Sequence, residues 1–275
     1  MFPSFQLFGK EISMYMVMTV LGALAMGLVL YFTTKKPGYR RDQIFHILLA
    51  GAGGAFVGAH LLFFFTRLPA LWQLVTHWGT YIHGFQDIWT AVQILFGGMV
   101  FYGGLFGAIV GGMWYCKCLK IDGRLHLDAI VPTIPLFHMF GRLGCLLAGC
   151  CYGVECAYGW YFPHSPLADP QIRYFPIQLV EACFNLLLFI LLFFLQKASV
   201  PKGKMLWIYF PLYAAGRFTL EFWRGDAVRG VYAGLSTSQW ISLALLIASG
   251  VVWMREWRHN RRMTPAPDST AEPVT

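Results

Sequence analysis

Long apolar stretches alternate with short polar ones along almost the whole chain. Seven of them, at about 13–33, 43–66, 95–116, 127–149, 176–196, 204–223 and 236–255, are near the ~20 residues a helix needs to cross bilayer hydrocarbon. Only helices and closed barrels satisfy their backbone there, so the pattern predicts an all-α membrane protein, a seven-transmembrane helix bundle. Residues 67–94 break the rhythm. They are too polar to span and carry Trp72, Trp78, Tyr81 and Trp89, which suits an interfacial arm along the outer leaflet or an aromatic-rich loop. Residues 150–175 make a second outer loop with Glu155, His164, Asp169 and Arg173. From Thr264 the chain reads T-P-A-P-D-S-T-A-E-P-V-T, so the expected division is one transmembrane domain, 1–263, and a disordered tail, 264–275.

Charge orients this bundle. Charged residues make up 12% of the chain, about half the share usual in soluble proteins, and no cleavable signal is expected at the N-terminus. The net charge of +8 raises the possibility of nucleic acid, but the basic residues sit in short loops between spans, which excludes it. Lys35, Lys36, Arg40 and Arg41 follow the first span; Lys117, Lys120 and Arg124 follow the third. Lys197, Lys202 and Lys204 follow the fifth, and Arg255, Arg258, Arg261 and Arg262 the seventh. These residues mark one side as cytoplasmic, placing the N-terminus outside and the C-terminus, with its tail, inside.

Two arginines lie where hydrocarbon is expected. Arg142 stands between Gly141 and Gly144 in G-R-L-G-C-L-L-A-G-C-C-Y-G, and Arg217 in G-R-F-T-L-E-F-W-R. A buried guanidinium costs about 2.5–3.5 kcal/mol on insertion scales, a cost met where the charge faces a partner or a ligand. Guanidinium suits phosphate, and two arginines from separate helices can grip a phospholipid headgroup. Arg217, Glu221 and Arg224 fall at i, i+4 and i+7, so on a helix Glu221 bridges both arginines, with Tyr213 extending the stripe. Arg224 lies near the boundary, where snorkelling is the other reading. Glu181, in P-I-Q-L-V-E, pairs with an arginine or with Gln178, or else snorkels.

Glycine is concentrated at 51–60 and 96–107. Close helix packing explains the first run. In the second, Gly97-Gly98 and Gly103-Gly104 flank Tyr102, and packing competes with the wall of a site. Cys145, Cys150, Cys151 and Cys156 lie within twelve residues, with His138 upstream. The spacing C-x4-C-C-x4-C matches no standard zinc pattern, so apolar packing stands against a metal or redox role for Cys145, Cys150 and Cys151.

These segments resemble the prolipoprotein diacylglyceryl transferase family. Its signature G-R-x-G-N-F-x-N-x-E-x-x-G aligns with Gly141–Gly153, Cys145 and Ala148 standing for the two Asn and Cys150 for Glu. The F-x-G-G-L-x-G segment matches at 101–107, with Tyr102 in place of the family's functional His. Tyr213, Arg217, Glu221 and Arg224 match Y-x-x-x-R-x-x-x-E-x-x-R; P-I-Q-L-V-E and G-L-S-T-S-Q match two further motifs, and Tyr15 an N-terminal Tyr. The G-C-C-Y-G ending is that of a divergent branch.

The resemblance implies a bacterial plasma (inner) membrane enzyme, multi-pass, that moves a diacylglyceryl group from phosphatidylglycerol to the lipobox Cys of a preprolipoprotein signal peptide. Glycerol phosphate is released. Tyr102, Arg142 and Arg217 are the implied catalytic residues. Substrate binding falls to Gly103, Gly104, Gly141, Gly144, Gly153, Tyr15, Tyr213, Glu221, Arg224, Gln178 and Glu181. Membrane lipids are further partners, and no cofactor is expected. Tyr102, with an unperturbed pKa of about 10, orients the substrate or accepts the thiol proton as phenolate. Two other classes stay open: a non-catalytic phospholipid-binding or transport paralogue, and a Cys-dependent metal or redox membrane protein.

Overall fold

A computed structural model of the chain describes residues 3–35, 39–98, 100–165, 168–198, 201–225 and 231–263. The expected tail, 264–275, and the side chain of Tyr102 lie outside the described residues. A hairpin, β1 (Ser4–Leu7) and β2 (Lys10–Ser13), leads into α1 (Met14–Thr33) and α2 (Arg41–Thr66). Three short helices follow, α3 (Leu68–Thr76), α4 (Trp78–Tyr81) and α5 (Phe85–Phe96), then α6 (Phe101–Cys118), α7 (Gly123–Ile130) and α8 (Thr133–Ala148). Strands β3 (Glu155–Tyr161) and β4 (Arg173–Tyr174) precede α9 (Ile177–Lys197) and α10 (Met205–Leu220), which a 3-10 turn, Glu221–Trp223, continues. The small pair β5 (Val231–Tyr232) and β6 (Leu235–Ser236) introduces α11 (Thr237–Met263).

This is an all-α membrane protein with three small two-stranded sheets among the described residues. Among the described residues α1, α2, α9 and α11 are long and apolar enough to cross a membrane. Helices α7 and α8, bent by 40° at their break, make a fifth if taken as one span. The break falls at Pro132, which N-caps α8, with Pro135 in its first turn, where a missing N–H costs nothing. The other two predicted spans coincide with α6, of 18 residues, and α10, of 16. Segment 67–94 forms α3, α4 and most of α5, with Trp72, Trp78, Tyr81 and Trp89 exposed.

The helices group into two compact units, Thr34–His126, and Met1–Thr33 with Leu127–Thr275. In the first, α2 and α6 meet backbone to backbone. A Cβ on Gly103 would strike the carbonyl of Gly58, and one on Gly107 the carbonyl of Gly54. Between these two readings of the second glycine run, the close approach of the helices accounts for Gly103. Gly104 is looser, its Cβ position 3.5 Å from the Ala55 carbonyl oxygen.

In the second unit α8 lies between α1 and α9. Gly22 of α1 approaches Phe140, and Gly144 of α8 approaches Tyr15 and Met18. Val131, Leu188, Leu192, Met205 and Tyr209 form one apolar core cluster. Asp128 seals one end of it. Its carboxylate accepts hydrogen bonds from the Gly203 N–H at 2.5 Å and the Met205 N–H at 3.2 Å, at the start of α10. Its backbone carbonyl accepts one from Gln196 Nε2 at 3.0 Å. Asp128 is buried, so Asp128→Ala leaves orphaned donors and is expected to cost about 1–3 kcal/mol in unfolding titrations in mixed micelles. Asp128→Asn should recover part of that loss.

Candidate active site

The site is organised around the carboxylate of Glu181, in the second turn of α9 and only 2% exposed. Arg142, from α8, places Nε 2.8 Å from Oε2. Arg217, from the last turn of α10, donates from Nη1 to Oε1 at 2.6 Å. The same guanidinium reaches Glu221 Oε2 through Nη2 at 2.7 Å and donates to Ser238 Oγ at 3.1 Å. Arg224 Nη1 stands 3.9 Å from Glu181 Oε1. Among the described residues, three guanidiniums against two carboxylates leave one net positive charge, and every one of these side chains is at most 13% exposed. Breaking such a set by removing one member strands a buried charge, which is why the cluster also locks three helices together.

Two expectations from the sequence change here. Glu181 and Arg224 do not snorkel; both are drawn into the cluster, and Glu181 pairs with two arginines rather than with Gln178. The regular helix also stops at Leu220, so Arg224 is not presented on the same helical face as Arg217. Arg224 has extended backbone and pairs with Gly153 in an isolated bridge. Around that bridge three segments are stitched together. The Gly153 N–H donates to the Phe175 carbonyl at 2.9 Å, Val154 N–H to Trp223 at 3.0 Å, and Gly225 N–H to Tyr152 at 3.1 Å. A Cβ on Gly153 would lie 2.6 Å from both the Phe175 and Trp223 carbonyl oxygens. The glycine of the G-C-C-Y-G ending thus lets the chain ends around α9 and α10 close, which brings Arg224 to Glu181.

The turn after α8 gathers the cysteines. Gly149 ends the helix with φ +73°, and Cys151 is also left-handed, φ +58°. The chain folds back so that the Cys150 N–H donates to the Cys145 carbonyl at 3.1 Å, and Cys150's own carbonyl accepts from Gln178 Nε2 at 2.8 Å. The sulfur atoms of Cys145, Cys150 and Cys151 lie within 4.8 Å of one another. Cys156, on β3, is outside this group.

The remaining predicted residues divide. Tyr213, one turn before Arg217, stacks obliquely on His138 at 5.7 Å between ring centroids. Tyr15, in the first turn of α1, lies against Gly144. Gly141 has nothing within 4 Å of where its Cβ would be, so the helix flank beside Arg142 is open. Gln178 Oε1 is buried with no hydrogen-bond partner among the described residues. Tyr102, Gly103 and Gly104 belong to the other compact unit.

Ser238 is a contact that sequence reasoning missed, although it sits inside the G-L-S-T-S-Q motif. That motif is a capping box: the Gln239 N–H donates to Ser236 Oγ at 3.3 Å and the Ser236 N–H to Gln239 Oε1 at 2.9 Å. The cap fixes the first turn of α11 and with it the hydroxyl that meets Arg217.

Comparison with known proteins identifies the family. A profile described as prolipoprotein diacylglyceryl transferase matches residues 3–255. The phosphatidylglycerol–prolipoprotein diacylglyceryl transferase of Clostridium tetani (strain Massachusetts / E88) is 37% identical over 246 residues, 88% of this chain and 92% of the relative. A protein of Clostridium perfringens (strain 13 / Type A) with the same name, numbered 2, is 32% identical over 88% of this chain and 90% of its own length. One of Acinetobacter baumannii (strain ACICU) is 27% identical over 92% and 90%. With the match running from one end of the chain nearly to the other, this protein belongs to the prolipoprotein diacylglyceryl transferase family.

Proposed function

We propose that this chain transfers the diacylglyceryl group of phosphatidylglycerol to the lipobox cysteine of preprolipoproteins, the activity its relatives' names state. The observation that carries the reading is the Glu181 cluster, where arginines from two helices meet one carboxylate within 2.8 Å and, among the described residues, one positive charge is left over. In an apolar setting that surplus attracts a single anionic group strongly. The substrate thiolate sulfur attacks the glyceryl carbon that carries the phosphate ester. The S–C bond forms, the C–O bond breaks, and its electron pair departs on glycerol phosphate. Arg142 and Arg217 neutralise the charge that grows on the leaving oxygen.

The other residues take supporting parts. The open flank at Gly141 admits the lipid, and Gln178, fully buried, holds the Cys150 carbonyl beside the site. Glu221, Arg224 and Tyr213 hold the arginines in place, Tyr15 packs on Gly144, and Gly153 closes the backbone around the site. Tyr102, with Gly103 and Gly104, orients the peptide thiol, a part that rests on the resemblance of that segment to the family's. The protein works as a seven-span bundle with the N-terminus outside and the C-terminus in the cytoplasm of a bacterial inner membrane. Segment 67–94 lies along the outer leaflet.

The test is transfer in proteoliposomes. Labelled phosphatidylglycerol and a lipobox peptide should yield a peptide whose mass has grown by one diacylglyceryl group, while a Cys→Ser peptide stays unmodified. Lipid that binds without transfer would replace this reading with that of a non-catalytic phospholipid binder. Tyr102→Phe is expected to slow transfer by about 10²-fold or more with lipid binding unchanged. Full activity in that variant would remove Tyr102 from the mechanism.

A further inference from the structure

We propose that Cys145, Cys150 and Cys151 hold a divalent d10 metal ion, zinc by chemical preference, and that its fourth position takes the thiol of the incoming lipobox cysteine. The second half of this statement rests on the transferase reading; the first does not.

Geometry comes first. Tetrahedral zinc with bonds of about 2.3 Å needs sulfur atoms roughly 3.8 Å apart, and the three here already lie within 4.8 Å of one another. The ligands are held by the fold. Cys145 is buried on α8, the left-handed residues Gly149 and Cys151 turn the chain back on it, and Gln178 ties down the Cys150 carbonyl. The unusual spacing follows from this: the ligands come from a helix end and a double left-handed turn, not from a zinc knuckle. Cys150 and Cys151 are only partly buried, which leaves one side of the trio approachable.

Chemistry narrows the occupant. The group contains sulfur alone, with no histidine or carboxylate, a donor set that favours soft or borderline cations over magnesium or calcium. Three protein ligands with a fourth position open is the pattern of catalytic zinc. A thiol that coordinates zinc loses its proton outright, here to water. The bound thiolate then forms the S–C bond as the C–O bond breaks toward glycerol phosphate, and the metal is neither oxidised nor reduced. Thiol activation thus falls to the cysteines, in a chain where Tyr102 occupies the position of the family's functional His.

The test uses the full chain purified in detergent. About one zinc per chain is expected, falling roughly 10-fold or more in Cys150→Ser and in Cys151→Ser. Cys183→Ser, outside the trio, should keep its zinc. Cobalt substitution should give sulfur-to-metal charge-transfer and tetrahedral d–d absorption, and the lipobox peptide, but not its Cys→Ser form, should shift the d–d bands. Transfer by metal-free protein, or reduced protein that takes up neither zinc nor cobalt, would overturn the proposal. Zinc held by the trio without any lipid transfer would sustain the site and sink the transferase reading instead.

Discussion

Glu181→Ala is expected to destabilise the protein by about 3–5 kcal/mol, the loss typical when one partner is removed from a buried ion pair. Glu181 is the shared anion for Arg142 and Arg217, at 2.8 and 2.6 Å, and lies 3.9 Å from Arg224. Without it the arginines from α8 and α10 face one another in an apolar interior where, among the described residues, Glu221 is the carboxylate left beside them. Glu181→Gln keeps a hydrogen-bond acceptor but no charge, so it should fall between. The double change Glu181→Leu with Arg142→Met removes a charge of each sign and should regain much of the lost stability while leaving the protein without transferase activity. Unfolding midpoints in mixed micelles, set beside the transfer assay, separate the two roles. Full stability of Glu181→Ala would mean that the cluster does not hold the helices together.

Arg142→Ala and Arg217→Ala are each expected to lower transfer by about 10²–10³-fold, the range found when a preorganised charge-stabilising group is removed from a reaction centre. The two should differ in what else they lose. Arg217 binds Glu181, Glu221 and Ser238, so its removal also loosens the packing of α9, α10 and α11. Arg142 places Nε 2.8 Å from Glu181 Oε2. On the proposed mechanism its planar guanidinium grips the phosphate, and Arg142→Lys, which keeps charge but not the fork, should remain well below wild type. Activity of Arg142→Lys close to wild type would show that charge alone suffices there.

Much of this protein is determined by what adjacent residues do. Apolar length sets where helices run, because burying a backbone in hydrocarbon requires every hydrogen bond to close within the segment. Each of the seven predicted spans accordingly falls on a helix or on the bent pair α7 and α8, though among the described residues only four helices are long and apolar enough alone, with a fifth if that pair counts as one. The cost of a charge in that setting singles out Arg142 and Arg217 from sequence alone. The i, i+4 relation of Arg217 and Glu221 was equally legible, since both ends of that pair are local.

Tertiary structure decided which groups meet across the chain. Glu181 looked like a boundary residue because hydropathy describes depth, not neighbours. Only the packing of α8, α9 and α10 makes it the shared partner of two arginines. Cys145, Cys150 and Cys151 gave no recognisable ligand spacing, since two left-handed residues, a backbone matter, bring their sulfurs together. Gly153 and Asp128 carry no periodic signal either; their roles depend on backbone from segments far off in sequence arriving within hydrogen-bond distance. Hydropathy and local spacing act between neighbours in the chain, whereas the charge cluster exists only once separate helices exclude lipid from between them.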